Sequence, residues 1–442
     1  MSFVADFITG RTIDFTEIES CLRKLEDRWL GSFHMLQSGE AGWYRRLTVM
    51  DRVGIVATAN AITALRASGH DVPQLHNVVR TLVTRRRPEG GWSFVSNITD
   101  TSVVDATAAT LMALYEWHDE VEFRNLNLQG VIQDSLDWLE LVALREGGWG
   151  LIAEGPYRNY STALAIQALC ACGRRSSSVV QRGIHRLISE SDTVSGGWQD
   201  ACRVLSVPTT SEAIRALEAA ATNRATYAAE LSRACDWLLQ IARDTRFWEV
   251  GPVTASLEEV DVVDGTRRVR IEYGHSPRPV AITALALAGT ADVPEVVAAM
   301  RMLLDDCGTN RWDSTSGGKY TEPPSWMLYD VMISLLAFRN GFSRNAVGVW
   351  ADNVRIVEHI RGQGPLTCKF IRHWPKLLLM SASGVLLWML LWVGMVRDLG
   401  AAALLAILAA CLLDVISTPL LKFFRNLQRK RRLSVANREH PP

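Results

Sequence analysis

The chain has 442 residues and a formal net charge of zero, with 47 Lys and Arg against 47 Asp and Glu. A chain balanced in this way offers no basic field for collecting phosphates, which argues against nucleic acid as a partner. Its eight Cys include no CxxC pair, so we expect neither a disulfide framework nor a zinc-finger site, and a reducing compartment fits best.

A loosely repeated unit organises roughly the first 340 residues. Each copy has a Gly-Gly-Trp or related turn, a polar loop, a helix start rich in Ser, Thr, Asp or Pro, and then an Ala/Leu-rich helix. A repeat of this length is the signature of a repeat architecture. The marker tryptophans of the six copies are Trp43, Trp92, Trp149, Trp198, Trp248 and Trp312.

Two kinds of helix are predicted in every copy. Before each marker Trp, apolar residues recur every three or four positions with charges between them, as in 18–30 and 131–144, which predicts one solvated face. After each Trp the helix is rich in Ala and poor in charge, which favours a crowded inner layer. Six such hairpins predict an all-α, (α/α)6 toroid over residues 1–340, with a central cavity. The loops after each Trp would gather at one end of the ring, which we call the mouth.

The fifth copy contains an insertion. Residues 257–273 alternate apolar and polar side chains on both sides of Asp264-Gly265, a strong signal for a β-hairpin. We expect a small two-stranded flap over or beside the mouth.

The repeat stops after Phe338. Residues 341–375 are predicted to form a helical linker, with one more helix over 343–360. Two apolar runs follow, at 377–396 and 399–421, and each has about the 20 residues that a helix needs to cross a bilayer.

The apolar runs predict a transmembrane helical hairpin over residues 376–421, and a buried hairpin in a soluble protein is the alternative. Basic residues flank both outer ends of the hairpin, and the tail 422–442 is basic. The positive-inside rule therefore places the toroid and the tail on the cytoplasmic side of the inner (cytoplasmic) membrane.

The Gly-Gly-Trp repeats, the Ala-rich helices and the count of six resemble the α/α-toroid superfamily of terpenoid cyclases and protein prenyltransferases, with squalene–hopene-type repeats. When the DxDD signature of class II cyclases is placed beside Thr107-Ala108, its three Asp positions fall on Val103, Asp105 and Ala106. The resemblance implies Asp105 as the catalytic general acid, because the middle Asp is the proton donor in that family. The zinc ligands of the prenyltransferases have no matching Asp-x-Cys here, so we expect no metal and no cofactor.

Aromatic and polar residues near the mouth are candidates for substrate binding. Aromatic faces stabilise cations, and a lipid site would use the same apolar walls. The structural alternatives stay open: marker tryptophans fill the core, and Asp105, His275 and Asp330 could be caps, turn residues or paired groups. The candidates are Trp92, Phe94, Tyr157, Tyr160, Tyr273, His275, Trp326, Tyr329 and Asp330.

Two functions fit these observations. The first is a membrane-anchored toroid that binds an isoprenoid or lipid ligand, or a partner protein, in its cavity without established catalysis. The alternative is an isoprenoid cyclase, or a prenyltransferase-like transferase, that takes its substrate from the bilayer. The expected partners are the lipid bilayer, the apolar ligand, and a protein partner or a second copy held through the membrane hairpin.

Overall fold

The computed structural model describes residues 13–44, 53–94, 101–201, 203–223, 225–245, 247–248, 256–261, 268–273, 277–309 and 324–351. The chain divides into two compact units, Met1–Trp350 and Ala351–Pro442. The described residues belong to the first unit, apart from Ala351.

The described residues form twelve α-helices in alternating layers. The outer layer consists of α1 (Phe15–Gly31), α3 (Leu75–Thr84), α5 (Leu128–Leu141), α7 (Ser178–Ser189), α9 (Ala228–Asp244) and α11 (Pro294–Thr309). The inner layer consists of α2 (Ile55–Ser68), α4 (Val104–Tyr115), α6 (Asn159–Ala171), α8 (Val207–Ala220), α10 (Pro277–Leu287) and α12 (Ser325–Ala351).

Small side chains allow the inner helices to pack side by side. In α2, Ala57, Ala59, Ala61 and Ala64 are all buried, and buried Ala recurs in the same way through α4, α6, α8 and α10. Each inner helix from α2 to α8 packs against the next inner helix and against the outer helix that follows it in the chain. This confirms the predicted crowded inner layer of Ala-rich helices.

The ring closes between its first and last outer helices. Helix α11 packs against α1. Arg301 on α11 pairs with Glu17 on α1 at 2.6 Å, and Arg339 on α12 pairs with Glu19 at 2.6 Å. The two ends of the repeat array therefore meet, and we call the α1–α11 contact the seam.

The marker tryptophans connect the outer helix of each hairpin to the inner helix that follows it through hydrogen bonds. The indole N–H of Trp92 donates to the backbone carbonyl of Leu82 at 2.7 Å, and its backbone N–H donates to the Thr107 hydroxyl at 2.9 Å. The first bond satisfies a carbonyl that the end of α3 leaves unpaired, and the second reaches the start of α4. The same indole bond is made by Trp43, Trp149, Trp198 and Trp248 to Trp29, Leu139, Leu187 and Leu238.

Gly91 shows why the marker turn needs glycine. A Cβ there would lie 2.7 Å from Ser102 Cβ and 2.7 Å from Thr107 Oγ1. Only a residue without a side chain lets the loop pass this close to the start of α4.

Two short sheets and a 3-10 helix complete the described unit. Strands β3 (Ser256–Asp261) and β4 (Arg268–Tyr273) pair antiparallel, with Ser256 opposite Tyr273, which confirms the predicted hairpin. Its predicted turn at Asp264-Gly265 lies outside the described residues. The pair β1 (His34–Met35) and β2 (Ala41–Gly42) and the 3-10 helix Val121–Leu126 were not predicted.

The end of the toroid differs from the prediction. Helix α12 runs from Ser325 to Ala351 without interruption, whereas the sequence predicted a boundary at 340 and a separate helix from 343. Gly341 does not break the helix: a Cβ there would lie 2.9 Å from the carbonyl oxygen of Ala286, so the glycine allows α12 to approach α10 closely. Helix α12 therefore continues across residue 340, and the domain boundary there stays a prediction.

The predicted membrane hairpin lies outside the described residues and stays a prediction. In the part of the chain that the structure describes, no helix is both long enough and apolar enough to cross a membrane.

Candidate functional site

One face of each inner helix points to the inside of the ring. Helix α4, for example, has α2 and α6 on its two sides and α5 behind it, so its remaining face must look inward. Partly accessible residues recur on that face at spacings of four and three. These positions, with buried residues that fall at the same spacing, form the inner lining: Val56, Asn60 and Thr63 on α2; Asp105, Ala109 and Met112 on α4; Tyr160, Leu164 and Gln167 on α6; Pro208, Glu212 and Arg215 on α8; Trp326, Asp330 and Ile333 on α12.

A polar network of Gln167, Glu212, Arg215 and Tyr329 crosses this lining. The Gln167 side-chain amide donates to Glu212 Oε2 at 2.8 Å and to the Glu212 carbonyl oxygen at 3.2 Å. Arg215 Nη1 lies 2.7 Å from Glu212 Oε1. The Arg215 guanidinium also lies beside the Tyr329 hydroxyl, close enough to interact with it. Both carboxylate oxygens of Glu212 are thus engaged, one by α6 and one by its own helix.

The position of Tyr329 shows that the network spans the inside of the ring. Tyr329 is on α12 and Arg215 is on α8, and α10 lies between these two helices in the inner layer. On α10 the residues that match lining positions, Val280 and Thr283, are buried. This is expected where the Arg215–Tyr329 pair covers the helix.

The charge of Arg215 is firmly held. Burial disfavours the charged guanidinium, but the Glu212 carboxylate and the nearby Tyr329 and Tyr160 outweigh it and raise the pKa of Arg215 above its usual value. Arg215 therefore stays cationic. Its side chain keeps 17% of its accessible surface, against 5% for Glu212, so the guanidinium is the more available partner for a ligand.

The Tyr329 hydroxyl stays protonated. Burial raises the pKa of Tyr329, and the nearby Glu212 and Asp330 carboxylates act in the same direction, while Arg215 partly opposes them. A neutral phenol beside a guanidinium can both accept a hydrogen bond and donate one, so the pair can bind an oxygen-bearing group.

Asp105 lies on the inner lining in the first turn of α4 and is 3% exposed. Its place in the repeat matches that of Tyr160 on α6 and Trp326 on α12, one turn closer to the helix start than Glu212. A carboxylate in the first turn of a helix is favoured by the helix dipole. The implied role of Asp105 as a general acid stays a prediction.

Several other predicted site residues also lie on or beside the lining. Tyr160, Trp326, Tyr329 and Asp330 are all partly accessible there. Tyr157 is partly buried, donates its hydroxyl to Asn159 Oδ1 at 2.9 Å, and has the Arg186 guanidinium 4.9 Å from its ring. It therefore sits beside the lining, at the end of the loop that leads into α6.

The remaining candidates are placed differently. Trp92 has no exposed surface, and its indole is bound to Leu82, so it belongs to the fold and cannot touch a ligand on the lining. Phe94 is partly buried and its carbonyl accepts the Ile55 N–H at 3.2 Å, at the start of α2. Tyr273 ends strand β4, and His275 lies outside the described residues.

Sequence reasoning missed Gln167, Glu212 and Arg215. They sit inside Ala-rich helices, where the prediction treated low charge as the rule and passed over the exceptions. A charged residue in the middle of a buried apolar helix is costly unless it is paired, and that cost was the available signal.

No group of three or more His, Cys, Asp or Glu among the described residues is arranged to hold a metal ion. The expectation of no metal and no cofactor stays a prediction for the whole chain.

No protein-family profile and no curated protein matches this chain. Among solved structures, a glycoside hydrolase family 76 mannosidase from Bacteroides thetaiotaomicron is similar over 74% of this chain and 99% of its own, with a TM-score of 0.50 and 10% identity. A type II terpene cyclase from Scytonema, in complex with geranylgeranyl dihydroxybenzoate, is similar over 74% and 99%, with a TM-score of 0.46 and 15% identity.

At 10% identity, the similarity to the mannosidase shows a shared fold and nothing about activity. The TM-score for the cyclase is too low to support a conclusion. The predicted α/α-toroid fold is confirmed. The assignment to cyclases or prenyltransferases within that fold stays a prediction, since the mannosidase has the same fold.

Proposed function

We propose that the toroid binds, in its inner space, a largely apolar ligand of the isoprenoid or lipid class that carries one polar group. The observation that carries this proposal is the contact between Arg215 and Tyr329 across the inside of the ring, on a lining that combines apolar and polar residues. The polar group of the ligand would lie against this pair.

The composition of the lining supports an amphipathic ligand. Leu164, Met112, Ile333 and Trp326 offer apolar surface on three inner helices. Ligand sites are typically apolar with a few placed polar groups that fix orientation. A fully apolar ligand would displace water from Arg215 without replacing its hydrogen bonds, which is unfavourable.

The apolar runs at 377–396 and 399–421 indicate the membrane as the place from which such a ligand would come. If they form the predicted hairpin, the toroid is tethered at the cytoplasmic face of the inner membrane, where lipids and isoprenoids partition. This part of the proposal rests on sequence.

The alternative is an isoprenoid cyclase with Asp105 as general acid. A buried carboxylate on a lining that also carries aromatic side chains favours it. Two neighbouring positions of the family signature, Val103 and Ala106, are apolar here, so the signature is incomplete in this sequence. Binding without established catalysis is therefore the main proposal.

The test is to identify small molecules that stay with the full chain after detergent extraction, by native mass spectrometry followed by lipid analysis. We expect an apolar molecule with one polar group in wild type, and less of it in Tyr329→Phe, because that variant removes the hydroxyl and keeps the ring. Arg174→Gln is the matched control, since Arg174 belongs to an outer surface network with Asp137 and Glu140.

Equal retention by wild type and Tyr329→Phe would contradict the placement of the polar group. Absence of any bound lipid, together with turnover of manno-oligosaccharides by the purified chain, would replace the proposal with a glycosidase function like that of the fold relative.

A further inference from the structure

Two cysteines meet at the seam that closes the ring. Cys21 lies on α1 and Cys307 on α11, and the two thiols lie close enough to interact with each other. Both are buried, at 5% and 1% exposure. Both are reduced in this structure.

The surrounding contacts hold this pair in register. Four residues before Cys21, Glu17 pairs with Arg301 of α11, a residue 284 positions away in sequence. The ion pair and the thiol pair lie in the same order along α1 and α11, and together they fix the position of one helix against the other. The thiols therefore meet because the ring closes.

The electrostatic setting distinguishes the two thiols. The pKa of Cys21 is lowered, because a thiolate there accepts a hydrogen bond from Cys307, and Lys24 adds a favourable positive charge; burial opposes both. The pKa of Cys307 is raised by its hydrogen bond to Cys21 and by burial. Cys21 is thus the nucleophile of the pair, and Cys307 is the second thiol poised beside it.

Three other described cysteines lack such a partner thiol. Burial is the main cause that raises the pKa of Cys170 to about 11, of Cys172 to about 12 and of Cys235 to about 12. A thiol with a raised pKa stays protonated, and none of these three has a neighbouring thiol among the described residues with which to form a disulfide. Among the described cysteines, the two whose thiols lie beside each other are Cys21 and Cys307, at the seam.

We propose that Cys21 and Cys307 are an oxidation site at which hydrogen peroxide forms a disulfide that closes the ring covalently. The Cys21 thiolate attacks one peroxide oxygen, the O–O bond breaks, and Cys21 becomes a sulfenic acid while hydroxide leaves and takes up a proton as water. The Cys307 sulfur then attacks the Cys21 sulfur, the S–O bond breaks, and a second water leaves. Two thiols lose two electrons in total, and one peroxide is reduced to two waters.

The test is to treat the full chain with peroxide, alkylate the remaining thiols, digest it, and look for linked peptides by mass spectrometry. We expect a peptide pair joining Cys21 to Cys307, reversed by dithiothreitol. We also expect a rise in melting temperature of about 5 °C, because a disulfide across so long a loop restricts the unfolded chain. Cys235→Ser is the matched control and should keep both effects.

Cys21→Ser and Cys307→Ser should each abolish the linked pair. Either variant could fold poorly, so the linked peptide pair in the wild-type protein is by itself sufficient to test the proposal. Sulfinic or sulfonic acid at Cys21, or links that join other cysteines while the Cys21–Cys307 pair is absent, in protein with native circular dichroism, would overturn the proposal.

Discussion

The Arg215 guanidinium on α8 lies beside the Tyr329 hydroxyl on α12, so the fourth and the sixth inner helices meet through these two side chains, over the fifth. The guanidinium is held from its other side by Glu212, which Gln167 of α6 also binds. One ion pair thus connects three inner helices. The contribution of this network to the stability of the protein can be measured separately from its role in ligand binding.

Glu212→Gln should lower the free energy of unfolding by about 3–5 kcal/mol, because it leaves the buried Arg215 without its carboxylate. Urea unfolding measures this. Glu116→Gln is the matched control: Glu116 pairs with Arg66 at 2.9 Å, but the side chains are 43% and 39% exposed. That change should stay within about 1 kcal/mol. Equal losses in the two variants would show that the inner pair is no more coupled than a surface pair.

Gly91→Ala should destabilise the ring by about 1–3 kcal/mol, since the new methyl group would overlap Ser102 and Thr107 at the start of α4. In Gly31→Ala a Cβ would meet no atom within 4 Å, and Gly31 lies in helix α1. The control should therefore be neutral or more stable by about 0.5–1 kcal/mol. Thermal melts of both variants check this, and a neutral Gly91→Ala would contradict the close approach of the marker turn.

Alkaline pH should destabilise the protein partly through Tyr329. Burial raises the pKa of Tyr329, so the native state holds the phenolic proton more tightly than the unfolded chain does. The resulting stability is complete below about pH 10, where an unfolded Tyr titrates, and is lost as the pH rises through the raised native value. Urea midpoints measured across this range should fall less in Tyr329→Phe than in wild type. Identical pH profiles for wild type and Tyr329→Phe would contradict a raised pKa of Tyr329 in the native state.

Asp105→Asn distinguishes the binding proposal from the cyclase alternative. Under the binding proposal the variant melts at a lower temperature, because a buried polar carboxylate has changed, and retains as much ligand as wild type. Under the cyclase alternative it loses all product from farnesyl, geranylgeranyl or squalene-type substrates while its melting temperature is kept. Asp119→Asn, at a side chain 87% exposed, is the control and should change neither measurement.

Reporter fusions test the membrane hairpin. A reporter inserted at Arg397-Asp398 should be exposed on the outer side, and one at Pro442 should be cytoplasmic, because basic residues flank both outer ends of the apolar runs. A C-terminal reporter on the outer side would contradict the hairpin.

The double layer of helices was predictable because each helix repeats its own local pattern. Charged residues between apolar ones marked α5, and Ala with little charge marked α4, and both appear close to the predicted positions. The β3–β4 pair was predictable for the same reason, since its alternation is local. The continuation of α12 beyond residue 340 was not predicted, because the repeat pattern stops after Phe338, whereas Gly341 allows the helix to pack closely against α10.

The candidate site was only partly predictable. Asp105, Tyr160 and Tyr329 were found through their positions after marker turns or in corresponding helices. Glu212 and Gln167 lie 45 residues apart and meet only when α6 packs against α8. The seam thiols are farther apart still. No local pattern reports which residues a closed ring brings together, so these contacts required the structure.

The indole bonds of the marker tryptophans imply how the ring would open under load. Each described bond joins the end of an outer helix to the turn that begins its own inner helix, so it fastens a hairpin internally. The two ends of the array are instead joined by the Glu17–Arg301 and Glu19–Arg339 pairs and the helix contact beside them. A force applied to the ends of the array would therefore shear this junction first, and the hairpins would then detach one after another as fastened units.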